Sequence, residues 1–359
     1  MNNSSLDSGS LSRPRPRIES IGALIPSEVV TSTDLVNQLA VDKKPPLEAV
    51  TGIVERRRAA PSDTSLDLAL AAARDALEGS RYEAADIDLI ISCSITRMVS
   101  VWRTQFAPSL AAVIGREIGA SKDALTFDVA NACAGMATGL FLADRMIKTG
   151  RATRALVVSG ERITLITDTA VREIKDSYDP QFAALTVGDS GCALVVDGEG
   201  TEPDQIEAIS LATASEAASL CVALPSDRSE GIAMYTDNKR MHSERRYTQA
   251  MEFVQHGLEG LGTTMADADY DYLIHHQFSL VALNYMRSIG EEKVFNGTMP
   301  TELNVMQFLG NTSSTALFLV LYHHIRNGTV EPGDRLLVVP TASGMVYGFI
   351  SLRVGEAVA

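Results

Sequence analysis

Cysteine is scarce in this 359-residue chain: there are four, at positions 93, 133, 192 and 221, far apart and without a CxxC pair. That argues against a disulfide framework or a cysteine zinc site, and makes a reducing cytoplasm the natural setting. Tryptophan occurs once, at Trp102. Long apolar runs are missing as well: nothing approaches the roughly 18 consecutive apolar residues of a membrane helix. Basic residues are outnumbered, 31 Lys and Arg against 45 Asp and Glu, for a formal net charge of −14. This balance speaks against general binding of nucleic acid or anionic membrane, while leaving room for a local basic patch. The stretch 1–17 lacks the apolar centre of a signal peptide and, rich in Ser, Pro and Arg, reads as a disordered tail. What remains is ordinary globular sequence, 45% hydrophobic and 21% charged, long enough for two cores or one large duplicated one.

The most informative stretch is Leu125–Ala137, Leu-Thr-Phe-Asp-Val-Ala-Asn-Ala-Cys-Ala-Gly-Met-Ala. A short apolar run ends at Asp128, small residues follow with Cys133 among them, and a helical pattern then continues to Lys148. A cysteine between a strand end and a helix start lies where unpaired N–H groups and the helix dipole favour its thiolate. Thiol-dependent acyl transfer is the chemistry to which that position points. Elsewhere, 18–30 reads as strand and turn, 32–39 as a capped helix, 51–58 as a basic turn and 65–79 as a helix. A strand is expected at 88–94, a helix over 107–118 and a strand at 154–160. Residues 183–197, with Gly188-Asp189-Ser190-Gly191 inside, look like a β-hairpin with a glycine-rich bend. Strands alternating with helices indicate α/β architecture with a parallel-rich sheet.

The plan occurs twice. The same 17-residue interval separates Cys133 from Gly150 and Asn311 from Gly328. Each of these helical stretches is followed by a similar strand, Arg-Ala-Leu-Val-Val at 154–158 and Arg-Leu-Leu-Val-Val at 335–339. Upstream, Asp-Leu-Ile-Ile at 88–91 matches Asp-Tyr-Leu-Ile at 271–274, setting His276 opposite Cys93. Three pairs in one order indicate a duplication, with halves at 18–198 and 199–359 related by a pseudo-twofold. Cys133 and Asn311 then stand at corresponding helix starts. Ligands of open α/β sheets bind beyond the strands' carboxyl ends, so Cys133, Asn311 and His276 face one crevice.

Each of these residues also has a plainer reading. A lone cysteine is commonly a small buried hydrophobe, a histidine at a strand end can simply bond a carbonyl, and asparagine before a helix is a good N-cap. His275 rivals His276, but strand alternation sends the two side chains to opposite faces and only one can enter the crevice. The other histidines, at 242, 256, 323 and 324, lie in charged or helical runs and read as solvated surface. No metal site is expected.

Phe127-Asp128-Val129-Ala130-Asn131-Ala132-Cys133-Ala134-Gly135, His276-Gln277 and Gly310-Asn311-Thr312-Ser313 together resemble the Cys–His–Asn signature of β-ketoacyl-ACP synthase III and its relatives. Thr51-Gly52-Ile53, Gly188-Asp189-Ser190-Gly191 and Ser343-Gly344 look like further landmarks of that family, in the right order. The resemblance covers about residues 17–355. It implies an α/β chain of the thiolase fold, a duplicated αβαβα sandwich with pseudo-twofold related halves, working as a homodimer. It further implies that Cys133 takes an acyl group from a thioester. An oxyanion hole would be built from the backbone N–H groups of Cys133 and of Ser343 or Gly344. His276 and Asn311 would donate to the thioester carbonyl of a second, malonyl- or β-ketoacyl-type substrate during carbon–carbon bond formation. The implied substrates are thioesters of carrier-protein phosphopantetheine or CoA, without a resident cofactor.

Departures from the family pattern narrow this expectation. The tryptophan and arginine that hold the CoA adenine are replaced by Pro46 and Val50, and a further family arginine by Val281, which favours a carrier-protein donor. Leu125–Glu161 is similar to the head-to-head acyl-condensing enzymes of olefin biosynthesis, yet Ala107 stands where those have a glutamate base before Pro108-Ser109. The loop 98–106 looks expanded and, with Trp102, Phe106 and Ala107, is expected to shape an acyl tunnel or a dimer contact. These differences suggest polyketide or other secondary metabolism. Acidic carrier proteins would dock on basic surface, for which Arg56, Arg57 and Arg58, and Lys239 and Arg240 with Arg245 and Arg246, are the candidates. The alternative activity is transfer of the cysteine-bound acyl group to an alcohol or amine. An inert partner subunit is a third class, but such subunits usually lose the cysteine.

Overall fold

The computed structural model describes residues 13–100, 103–176 and 178–356. The first half contributes β1 (Arg17–Leu24), α1 (Ser65–Glu78), β2 (Leu89–Ser92), α2 (Leu110–Ile118), β3 (Leu125–Asp128), α3 (Gly135–Lys148), β4 (Arg154–Glu161) and β5 (Ser190–Asp197). The second contributes β6 (Gln205–Thr213), α4 (Glu244–Gly260), β7 (Tyr272–His275), α5 (Leu280–Ile289), β8 (Thr301–Glu302), α6 (Ala316–Arg326), β9 (Arg335–Val339) and β10 (Val346–Arg353). The first sheet runs β1-β5-β4-β2-β3 and the second β6-β10-β9-β7-β8, the same order in both. Pairing directions agree too: the two pairs at the start of each order are antiparallel and the two at the end parallel. The duplication read from three sequence pairs is therefore present strand for strand.

Alternation along the strands builds the layers. Leu89 and Ile91 of β2 and Val157 of β4 turn inward, while Ile90, Leu156 and Val158 turn outward. The inward set packs on Met136, Leu140 and Ile147 of α3, and from the other sheet Ile274 and Val338 pack on Leu317, Val320 and Leu321 of α6. The outward set is covered by alanines of α1 and by Leu110 and Ile114 of α2. On the far side, Met251 and Val254 of α4 and Leu283 of α5 cover Leu273, Leu337 and Phe349. Both faces of both sheets are buried, which is why the parallel strands read as continuous apolar runs. The result is a five-layer αβαβα sandwich.

Three features differ from the sequence reading. Of the stretch expected as a tail, residues 1–12 lie outside the described residues, but 13–17 are held: Arg15 bridges to Glu199, and Arg17 opens β1 with ion pairs to Asp197 and Asp204. The expected hairpin at 183–197 is a 3₁₀ turn, Phe182–Thr186, followed by β5, whose partners are β1 and β4. Residues 55–58 form a strand against Glu28–Thr31, where a turn was expected.

The central helices also show where the repeat slips. Both end on a left-handed glycine, Gly150 (φ 67°) and Gly328 (φ 74°), and both are preceded by a 3₁₀ turn, Ala132–Ala134 and Ser313–Thr315. But α3 has 14 residues and α6 has 11. Counting back from the helix ends puts Asn311 opposite Cys133. The 3₁₀ turns instead put Ser314 there. Cys133 lies within its turn, whereas Asn311 precedes its own, so the expectation of two corresponding helix starts is corrected by about one helical turn.

Candidate functional site

Cys133 lies on the 3₁₀ turn that leads into α3, with Ala134, Ala342 and Val346 packed around it. Its Sγ is 3.7 Å from Ser313 Oγ, at the corresponding turn before α6. Two special backbone conformations face each other here, Ala132 at φ 44° and Ser313 at φ 61°. Non-glycine residues are uncommon in that region, and such positions cluster at active sites.

Asn311 is fixed from the first half of the chain. Its N–H donates to Thr186 O (2.9 Å), its C=O accepts from Gly188 N–H (3.0 Å), and its side-chain Oδ1 accepts from Ser313 N–H (2.9 Å). This crossing requires glycine on both sides. A Cβ on Gly188 would meet Leu309 O at 2.2 Å, and Gly310, at φ 67°, would meet Thr186 O at 2.7 Å. The glycine-rich 188–191 segment thus serves close backbone approach rather than a hairpin bend.

His276 follows β7, its N–H donating to Val339 O (3.3 Å), and is 4% exposed. The alternation argument holds: His275 points the other way, buried, with Nδ1 3.2 Å from Glu302 Oε1. Cys133, His276, Asn311, Ser343 and Gly344 all line one cavity of about 840 Å³. The rest of its wall is largely apolar, with Ile95, Ile163 and Phe182 from the first half and Phe278, Met286 and Met345 from the second.

Burial sets the resting protonation of this group. It pushes the Cys133 thiol up to about 12, against a smaller downward pull from the Ser313 hydroxyl. It pushes the His276 imidazole down to about 4. Both are neutral near pH 7. Burial thus opposes the thiolate that the helix start was expected to favour. A helix N-terminus favours an adjacent anion by at most about 2 kcal/mol, and desolvation of this thiol outweighs that.

A second set of groups holds the frame, and sequence reasoning missed it. Glu161, at the end of β4, is fully buried. It accepts from the N–H groups of Ile95 and Thr96, from Thr96 Oγ1 and from Ser314 Oγ, so one carboxylate ties a cavity-wall segment to the turn beside Cys133. Asp189 does the same for Ala59 N–H and Thr164. An acidic residue at the edge of an apolar strand, Glu161 ending β4 and Asp189 just before β5, was the available signal. Their partners, distant in sequence, were not.

Several expected site residues lie elsewhere. Arg56 is 2% exposed beneath Gly188 and Gly310, donates to Ser32 Oγ (2.8 Å), and is pushed down to about 10 by burial. It cannot form a docking surface. Arg57 pairs with Glu55, and Arg58 with Asp168. Arg246 is 7% exposed, lines the cavity and pairs with Glu216. Lys239, Arg240 and Arg245 remain exposed. Phe106 is 90% exposed and Ala107 is exposed, and neither lines this chain's cavity. Trp102 lies outside the described residues. Val50 and Val281, which stand at family arginine positions, are 43% and 56% exposed on the cavity lining. His242, expected at the surface, lines the cavity as well. Among the described residues there is no group of three or more His, Cys, Asp or Glu placed to hold a metal ion, and no helix long and apolar enough to cross a membrane.

The family comparisons agree with this architecture. Residues 127–215 match the family model for 3-oxoacyl-[acyl-carrier-protein] synthase III, and residues 262–354 match the model for its C-terminal region. The β-ketoacyl-[acyl-carrier-protein] synthase III of Oceanobacillus iheyensis is 30% identical over 339 residues, 93% of this chain and 97% of the relative. That of Caulobacter vibrioides is 27% identical over 357 residues, 94% and 99% of the two chains. In fold, the chain is similar to a variant of OleA from Xanthomonas campestris (TM-score 0.81, 23% identity, 95% and 99% coverage). It is likewise similar to the 3-oxoacyl-[acyl-carrier-protein] synthase III of Aquifex aeolicus (TM-score 0.77, 24% identity, 94% and 99% coverage). The fold and the matched regions define a condensing enzyme of the thiolase superfamily. Within that class, the chain belongs to the β-ketoacyl-ACP synthase III family, as a divergent member.

Proposed function

We propose that this protein joins a cysteine-bound acyl group to a malonyl- or β-ketoacyl-thioester through a new carbon–carbon bond. The observation that carries the reading is convergence: residues 133, 276, 311 and 343–344, remote in sequence, line one largely apolar cavity. In the first step the Cys133 sulfur attacks the thioester carbonyl, the tetrahedral oxyanion meets the backbone N–H groups of Cys133 and Ser343 or Gly344, and the departing thiol carries away the proton. In the second, a malonyl carboxylate leaves as CO₂ and the electron pair forms an enolate. The neutral imidazole of His276 and the Asn311 amide hold the enolate oxygen. Its carbon then attacks the acyl group, and the Cys133 thiolate is released. An imidazole kept neutral by burial can donate one hydrogen bond without carrying a charge into the apolar cavity.

The apolar residues at Val50 and Val281 support a carrier-protein donor over CoA, and the exposed Lys239, Arg240 and Arg245 are the docking candidates that remain. A homodimer, in which the exposed Phe106 contacts a second copy, fits the same reading, as do a cytoplasmic setting and a place in polyketide or other secondary metabolism. Release of labelled CO₂ from a malonyl thioester in the presence of acylated enzyme tests the reaction. Replacing His276 or Asn311 by Ala is expected to lower the condensation rate on the order of 10²–10³-fold. No decarboxylation with any malonyl donor, together with transfer to a hydroxyl or amine, would replace this reading with simple acyl transfer.

A further inference from the structure

The 3₁₀ turn before α6 carries three hydroxyls, and two of them hold the frame. Ser314 Oγ donates to Glu161 and meets Ser159 Oγ at 2.7 Å, and Thr315 Oγ1 donates to Thr312 O and meets Ser190 Oγ at 2.7 Å. The third, Ser313 Oγ, has the Cys133 sulfur, 3.7 Å away, as its one hydrogen-bond partner among the described residues. The backbone fixes its place. Ser313 is held at φ 61°, and its N–H donates to Asn311 Oδ1. That left-handed conformation is uncommon for serine, and here it brings a hydroxyl of the second half of the chain to the sulfur of the first. The cavity wall offers a thiolate no free cation: among the described residues its one charged side chain, Arg246, pairs with Glu216.

We propose that Ser313 is a catalytic residue, its O–H donating a hydrogen bond to the Cys133 sulfur whenever that sulfur carries negative charge. The inference rests on Cys133 being the residue that takes up the acyl group, as proposed above, and adds the group that makes its sulfur reactive. In the resting pair either S–H or O–H can be the donor, and the contact is weak both ways. With a thiolate only the hydroxyl can donate, and a hydrogen bond to an ion is roughly twice as strong as a neutral one. An interaction that strengthens as charge develops is the kind that accelerates a reaction. Charge develops on this sulfur twice: as it gives up its proton and attacks the thioester, and again as the new carbon–carbon bond expels it. Ser313 keeps its own proton at both points, so it is a donor and not a base. Burial of Cys133 opposes the thiolate, and the hydroxyl works against that desolvation.

The test is the rate of alkylation of Cys133 by iodoacetamide as a function of pH, a reaction of the thiolate that needs no acyl substrate. Peptide mapping assigns the adduct, because Cys221 lines the same cavity. Two variants are compared with wild type. Ser313→Ala removes the hydroxyl. Ser313→Gly removes it as well and suits the left-handed backbone, and both keep the N–H that Asn311 accepts. Loss of a hydrogen bond to a charged group should displace the rate–pH curve upward by about one unit, read as roughly tenfold slower alkylation at a fixed pH in both variants. Side effects run the other way, since the space left by the hydroxyl admits water and reagent. Acylation of Cys133 by octanoyl-N-acetylcysteamine, followed by intact mass, should slow in the same two variants. Alkylation that is unchanged or faster in both would overturn the inference, and so would acylation at the wild-type rate. A loss in Ser313→Ala that Ser313→Gly restores would also overturn it, because Ser313 would then act through its backbone alone. If wild-type Cys133 takes no acyl group from any thioester while the alkylation difference holds, the proposed reaction fails and the hydrogen bond stands.

Discussion

Cys133 and His276 are both kept neutral by their surroundings, and this has a measurable consequence for His276. Its folded-state value, about 4, lies below the ordinary value of 6.5. Between those values the unfolded chain binds a proton that the folded chain refuses, so stability rises with pH across the window from about 4 to 6.5. Urea unfolding of the wild type at a series of pH values should show that slope. His276→Asn should reduce it by up to one proton, and an unchanged slope would mean the imidazole is not buried as described. At this scale the sequence was informative about identity and poor about environment. That Cys133, His276 and Asn311 meet in one cavity was legible because residue type, spacing and the repeat carried it. His242, Arg56 and Arg246 were misplaced because a charged or helical run says nothing about which side chain the tertiary fold will cover. Arg56 is the sharpest case: read as surface charge, it lies beneath two glycines that admit the backbone crossing at Asn311.

Helix α1 rests on a floor without side chains. A Cβ on Gly22 of β1 would meet Ala76 N at 2.1 Å, one on Gly160 of β4 would meet Ser65 O at 2.1 Å, and one on Gly191 of β5 would meet Leu68 O at 2.2 Å. Three neighbouring strands thus present glycine to the one helix, which answers with Ala69, Ala72, Ala73 and Ala76, all fully buried. Because each clash is with helix backbone, a methyl group cannot be accommodated by turning a side chain. Gly160→Ala is expected to destabilise the fold by about 1–3 kcal/mol, as overpacking does, read as a lower denaturant midpoint. A midpoint equal to wild type would show that α1 shifts freely. Glu161, next in the chain, is an anchor of a different kind. Glu161→Ala leaves the Ile95 and Thr96 N–H groups without their acceptor, at a cost of about 1–3 kcal/mol for each that stays dry. It should also slow acylation of Cys133 more than its melting temperature alone would suggest. Element types at 65–79, 88–94 and 154–160 were legible because their apolar periods are long or continuous. The 183–197 hairpin was misread because both strands flanking β5 come from elsewhere in the chain.

Across the whole molecule, duplication is the organising fact. Two sheets that share a five-strand order, the second with the short strand Thr341–Ala342 added on β10, clasp α3 and α6, and the turns before those helices carry Cys133 on one side and Ser313 on the other. The repeat was legible because three matched segments kept their order. Its three-residue slip was hidden because spacing was counted from helix ends, while the site is built at helix starts. The surface gives a further prediction. With Arg56 and Arg246 buried, the proposed docking of a carrier protein would rest on the exposed Lys239, Arg240 and Arg245. Reversing the charge of Lys239 and Arg240 together should lower kcat/KM about fivefold or more for a carrier-bound acyl group, through slower association. The same enzyme should turn over a short N-acetylcysteamine thioester at the wild-type rate. An equal loss on both substrates would point to damage of the fold rather than docking.

The most direct test of the central claim is intact-protein mass spectrometry after incubation with an acyl thioester, followed by peptide mapping. The expected result is a single added acyl group on Cys133, absent from Cys133→Ala. An adduct that persists in Cys133→Ala, or one that maps to Cys93, Cys192 or Cys221, would contradict it.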